Sequence, residues 1–374
     1  MTISAPLLFE LGAILLVLTV LGTAARRYGL SPIPLYLITG LFLGTGGVAP
    51  VDAAADFVST GASIGVVLLL LTLGLEFSVI EFSESLRRHL PSAAVDLVLN
   101  AVPGALAGWL LGLDAVGILA LAGITYISSS GVIARLLNDL DRLGNRETPA
   151  VLSVLVLEDF AMAAYLPVLT VLASGGTLAQ AVLWTAVAIG ALALAFLVSY
   201  RWGHHVGRVL GHPEDEQLLL RVLGLTLIVA AAAEHLHASA AVGAFLVGLT
   251  LTGPVADRAR TVLNPLRDLF AAVFFVAIGL SVAPADLLPM LPFALGLAAV
   301  TAVTKVLTGI YAARREGAGP AGRRRAGAAL IARGEFSLVI IGLAGASVAE
   351  LTAVATPYVF ILAIVGPVLA RFAK

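Results

Sequence analysis

The sequence predicts an all-α polytopic membrane protein of thirteen transmembrane helices, arranged as two inverted-topology six-helix repeats. Three observations predict this: long apolar runs joined by short loops, a one-sided distribution of basic residues, and motifs that recur in the second half. Of 374 residues, 60% are hydrophobic and 12% charged, against roughly 25% charged in soluble domains. Mean hydropathy is +1.03. Runs of about 20 apolar residues are long enough to span a bilayer as helices.

The segments run approximately 7–25, 32–47, 61–80, 90–112, 116–137, 147–172, 178–200, 217–236, 239–252, 265–282, 287–312, 325–349 and 351–372. The first is not a leader peptide by charge, because Arg26 and Arg27 follow its apolar run instead of preceding it. The longest loops, Arg201–Gln217 and Arg314–Arg325, are too short to fold alone, so residues 1–374 are expected to form one membrane domain.

With the N-terminus outside, every Lys and Arg except Lys305 and Arg333 falls at an inner end or loop, as the positive-inside rule requires. The repeat is visible in Gly40-Leu-Phe-Leu-Gly44 against Gly243-Ala-Phe-Leu-Val-Gly248, and in Leu73-Gly-Leu-Glu-Phe-Ser-Val79 against Ile278-Gly-Leu-Ser-Val282. The polar interruption Ser128–Gly131 likewise matches Arg333–Gly334. Segment 7 reverses the direction, so the second half is inverted, a plan of secondary transporters whose sites lie near the midplane at interrupted helices.

Ionisable residues within such segments are expensive and mark function by default. Glu158 and Asp159 lie at the midpoint of segment 6. Neighbours on a helix point about 100° apart and so face different partners. Paired carboxylates suit competition between a proton and a hard alkali cation. Lys305 in segment 11 is positioned to neutralise one of them. Segment 5 carries Thr125, Ser128, Ser129 and Ser130, and segment 12 carries Arg333 and Glu335. Non-helical backbone at this depth is tolerated only within protein or beside a wet cavity. Two such breaks crossing near Asp159 would direct half-helix ends at a cation. The bland alternatives are helix packing through small serines and an Arg333–Glu335 ion pair.

Glu76, near the inner end of segment 3, is a candidate for the cytoplasmic entrance. Asp96, Asn100 and Glu10 are weaker candidates, and Glu234, His235 and His237 read as solvated outer residues. The chain has no cysteine and a net charge of −1, and it lacks phosphate-loop, nucleophile-elbow and zinc-protease motifs. The expectation is therefore no enzyme activity, no cofactor and no nucleic-acid partner.

These residues together resemble the monovalent cation:proton antiporter-2 family. The marks are Leu30-Ser-Pro-Ile-Pro-Leu-Tyr-Leu-Ile-Thr-Gly40, Gly74-Leu-Glu-Phe-Ser78, Ser128–Gly131, Glu158-Asp159, Ala240–Gly248, Phe274–Gly279, Lys305 and Arg333-Gly-Glu-Phe-Ser337. The resemblance implies a homodimer in the bacterial inner membrane. Residues 1–85 and 217–285 would form the dimerisation part, 178–200 a linker helix, and 90–172 and 287–372 a six-helix core with crossed broken helices. The core would move as an elevator. Asp159 would bind the cation and proton, with Glu158 and Lys305 as charge partners. Sodium exchangers of this group usually carry Asp-Asp here and the potassium efflux branch Gln-Asp, whereas this chain carries Glu-Asp. Phe336 and Glu76-Phe-Ser78 look more like the potassium branch. The potassium branch often carries a cytoplasmic regulatory domain after segment 13. The chain ends at Lys374, so such control is expected from a separate subunit, from a domain outside this chain, or not at all. A gated potassium channel or uniporter and a sodium-coupled organic-anion symporter are the competing readings.

Overall fold

The computed structural model describes residues 5–28, 31–44, 46–51, 53–75, 79–175, 177–235, 240–345 and 349–373. Among the described residues the regular secondary structure is helical. In chain order the helices are α1 (Ala5–Arg27), α2 (Ile33–Leu43), α3 (Ala55–Gly74), α4 (Val79–Leu110), α5 (Ala115–Tyr126), α6 (Ser130–Asp139), α7 (Thr148–Ala173) and α8 (Leu178–Leu210). They continue with α9 (Asp215–His235), α10 (Ala240–Thr250), α11 (Pro254–Leu280), α12 (Leu291–Arg315), α13 (Pro320–Ala329), α14 (Glu335–Gly345) and α15 (Ala349–Phe372). A 3₁₀ turn, Pro284–Leu287, precedes α12.

Among the described residues, nine spans are helical, long and apolar enough to cross a membrane, and the protein is a multi-pass membrane protein. Large apolar side chains such as Phe9, Leu16, Val20, Trp109, Leu183 and Leu194 are exposed on the outer helices, as lipid-facing surfaces require.

Several polar stretches expected as loops continue the helices. α4 begins at Val79 rather than near residue 90, α11 at Pro254 rather than 265, and α8 runs on to Leu210. Most of the expected loop Arg314–Arg325 is helical too, with α12 ending at Arg315 and α13 starting at Pro320. The reason is local: a helix satisfies its own backbone whether or not lipid surrounds it, and proline fits the first helical turn. Sequence hydropathy marks the end of the apolar zone, not of the helix.

α2, α3, α10 and α11 pack together, with α1 against α2 and α9 against α10. α4, α5, α7, α12, α14 and α15 share a second buried apolar cluster that includes Leu121, Ile124, Met162, Leu297, Ile340 and Tyr358. α8 lies against α7 and α10. In the first group backbone meets backbone. A Cβ on Gly40 would run into the Val276 carbonyl and lie 2.8 Å from the Gly279 Cα. A Cβ on Gly74 would run into the Phe245 carbonyl and lie 3.0 Å from the Gly248 Cα. Only glycine permits these approaches of α2 to α11 and of α3 to α10.

Candidate functional site

The site is built where two interrupted helices meet the middle of α7. α5 stops at Tyr126, because Ile127 takes an extended conformation (φ −73°, ψ 132°). α6 restarts at Ser130, capped by the Ser129 side chain, which accepts from the Val132 N–H at 3.2 Å. A serine oxygen replaces the missing backbone acceptor at a helix start. The second interruption lies between α13, ending at Ala329, and α14, starting at Glu335. The two gaps cross: the Ser129 N–H donates to the Ala332 carbonyl at 2.9 Å. Gly334 makes room for the crossing, since a Cβ there would sit 2.5 Å from Ser129 Oγ.

Glu158 and Asp159 face this crossing from α7, and both are fully buried. The Ser128 N–H donates to Glu158 Oε2 at 2.5 Å and its hydroxyl to Oε1 at 3.1 Å. Ser130 Oγ donates to Asp159, 3.3 Å from Oδ1 and 3.1 Å from Oδ2. The carboxylates thus lie at the N-terminal, electropositive end of α6. Ser128 holds Glu158 and also reaches the Leu330 carbonyl at 3.2 Å, Ser129 joins the two gaps, and Ser130 holds Asp159.

Arg333, fully buried, donates to the Thr125 carbonyl at 2.9 Å and to the Leu330 and Ile331 carbonyls at 3.2 Å each. Its Nε reaches the Tyr358 hydroxyl at 3.3 Å. One guanidinium therefore donates to carbonyls at the C-terminal ends of both α5 and α13. The Thr125 hydroxyl likewise turns back on its own helix, donating to Leu121 O at 3.0 Å and Ala122 O at 3.1 Å. Glu335 opens α14, but its side chain lies outside the described residues, as does all of Glu76 and His237.

Lys305 projects from α12, fully buried. Its Nζ lies 2.8 Å from Glu158 Oε1 and 2.8 and 3.0 Å from the two oxygens of Asp96 on α4. The Tyr126 ring lies 5.5 Å away. Sequence reasoning ranked Asp96 and Asn100 low, yet both are fully buried here. The available signal was their depth in a segment that is the repeat-mate of the one bearing Lys305. Glu10 accepts from the Ala54 N–H at 2.8 Å, which makes it a cap for the start of α3. Glu234 and His235 are exposed.

Arg135, expected at an inner end, is only 6% exposed. It pairs with Asp139 at 3.0 Å and with Asp268 of α11 at 2.6 Å. Ser31 donates to the other oxygen of Asp139 at 2.7 Å. This cluster ties α6 to the α2–α11 group.

The family model for the transmembrane sodium/hydrogen exchanger matches residues 13–373. The chain belongs to that family. Among its relatives is the K(+)/H(+) antiporter subunit KhtU of Bacillus subtilis (strain 168), 31% identical over 98% of this chain and 94% of that protein. Another is the ammonium/H(+) antiporter subunit AmhT of Alkalihalophilus pseudofirmus, 27% identical over 98% and 93%. In fold the exchanger resembles the sodium proton antiporter MjNhaP1 from Methanocaldococcus jannaschii, with a TM-score of 0.70. That alignment covers 98% of this chain and 96% of that one, at 16% identity.

Proposed function

We propose that the protein exchanges a monovalent cation for protons across the membrane, with both competing for the carboxylates of Glu158 and Asp159. One observation carries the reading: two adjacent carboxylates, fully buried midway along an apolar helix, meet the crossing of two interrupted helices. A buried charge of this kind is costly unless compensated. A proton or a cation at Asp159 supplies the compensation, and an empty, charged site is too costly to carry across. That coupling yields exchange.

Around this chemistry we place thirteen membrane crossings, an external N-terminus, a cytoplasmic C-terminus and residence in the bacterial inner membrane. The two glycine contacts support the inverted repeat, because the repeat maps the pair α2–α11 onto α10–α3. In the same reading, the group holding α4–α7 and α12–α15 is the part that moves, elevator-fashion, against a homodimeric frame. Potassium is the proposed cation, on the name of the 31% identical relative and on Phe336. Relatives named as subunits support a separate cytoplasmic regulatory partner.

The experiment is cation-triggered dequenching of an internal pH dye in proteoliposomes, screened over potassium, sodium, rubidium, lithium and ammonium. Asp159→Asn abolishes the signal. Dequenching that persists in Asp159→Asn refutes the site. Cation flux indifferent to the pH gradient identifies a uniporter instead.

A further inference from the structure

Asp96 changes the number of charges that an entering cation meets. It lies on α4, away from the crossing of the interrupted helices, and is fully buried. The Lys305 ammonium is divided between two carboxylates, with Asp96 taking contacts at 2.8 and 3.0 Å and Glu158 one at 2.8 Å. Asp96 is itself clamped. Asn100, one turn further along α4, donates Nδ2 to Asp96 Oδ1 at 2.8 Å. Thr304, next to Lys305, donates to Asn100 Oδ1 at 2.7 Å, and Thr308 lies 3.3 Å from Asn100 Nδ2. Lys305 and its principal counter-ion thus share one polar seam between α4 and α12.

Charge-assisted bonds of this length are strong, and a buried ammonium stripped of a partner is costly. The formal charges give the consequence. With Asp96 matching Lys305, Glu158 and Asp159 offer up to two negative charges to a cation. Without it, Lys305 is matched by Glu158 and only Asp159 remains. The other buried cation near the site, Arg333, is engaged with the carbonyls of Thr125, Leu330 and Ile331.

We propose that Asp96 is a positioning residue for cation binding: by sharing Lys305 with Glu158, it keeps the ammonium from neutralising the Glu158 member of the acidic pair that receives the cation. This rests on the exchanger reading above.

The test is the initial rate of proton release from proteoliposomes as a function of potassium concentration at one fixed pH. Wild type is compared with Asp96→Asn, Asp96→Glu and Asn100→Ala, with rubidium as a second cation. Asp96→Asn raises the half-saturating concentration about ten-fold while the maximal rate stays within about two-fold. Asp96→Glu restores wild-type half-saturation. Asn100→Ala, which keeps the charge and loosens its clamp, gives a smaller rise in the same direction and carries the test if Asp96→Asn does not fold. Half-saturation unchanged in Asp96→Asn, or in Asn100→Ala where that variant stands in for it, overturns the proposal. A fall in maximal rate alone also overturns it, because that is what a purely structural role produces. Wild type that exchanges no cation sinks the exchanger reading, and the role of Asp96 with it. Wild-type exchange with unaltered variants sinks the role of Asp96 alone.

Discussion

Ser129 and Ala332 join the two interrupted helices through a single backbone hydrogen bond of 2.9 Å, with Gly334 leaving the space that lets the chains cross. The contact sets how the serines on either side of Ser129 address the α7 carboxylates. Gly334→Ala would place a methyl group against Ser129 Oγ and push the gaps apart. The expected outcome is at least ten-fold slower exchange with protein still recovered from the membrane. Ser129→Gly added to Gly334→Ala restores part of the rate by removing the obstructing atoms. Dye-based exchange assays on the single and double variants check this.

Arg333 is a geometric part as well as a charge. Its fork spans carbonyls from both half-helices, and an ammonium is a point donor that cannot reproduce that fan. Arg333→Lys should lower stability by about 1–3 kcal/mol, the scale of unsatisfied buried polar groups. Thermal unfolding followed by tryptophan fluorescence in detergent reads the loss.

Lys305→Met leaves Asp96 and Glu158 without their shared ammonium, and breaking a buried ion pair costs about 3–5 kcal/mol. Asp96→Asn in the same chain relieves part of that cost. The double variant should therefore unfold at a higher temperature than Lys305→Met alone, showing the non-additivity expected of touching residues.

At the end of its membrane span, Glu147 precedes α7 and accepts from Arg325 Nε at 2.6 Å. Burial pushes its carboxyl up, but the Arg325 hydrogen bond, a backbone hydrogen bond and the Arg325 charge outweigh burial and hold it below its ordinary 4.5. A folded-state value below the unfolded one stabilises the protein above the ordinary carboxylate range. That contribution is lost as pH falls through the depressed value. Glu147→Gln should lose stability near neutral pH, and its melting temperature should fall less than wild type's between about pH 5 and pH 3. Melting curves across that range are the measurement.

The site was legible in part. Three serines followed by a glycine, and a charged Arg-Gly-Glu inside apolar runs, point to broken helices, because non-helical backbone at that depth needs polar partners. The acidic pair announces itself because a charge at that depth is costly. Asp96 did not, because its partner lies 209 residues away: Thr301, Thr304, Lys305 and Thr308 mark a polar face of α12, but spacing within one helix does not say which other helix meets that face. The burial of Arg135 was not legible, because hydropathy records depth along a segment and is blind to a counter-charge, Asp268, brought in by another helix. The helical extensions of α4, α8 and α11 were missed because polar residues end an apolar run without ending a helix.

The spine-to-spine seating of Gly40 on Gly279 and of Gly74 on Gly248 has a mechanical consequence. Where two main chains touch, no rotamer remains to flex, so neither helix can slip past the other without losing contact altogether. Relative travel in this molecule is confined to surfaces where side chains intervene. The Arg135–Asp268 junction between α6 and α11 is such a surface, and the proposed elevator movement would have to part it.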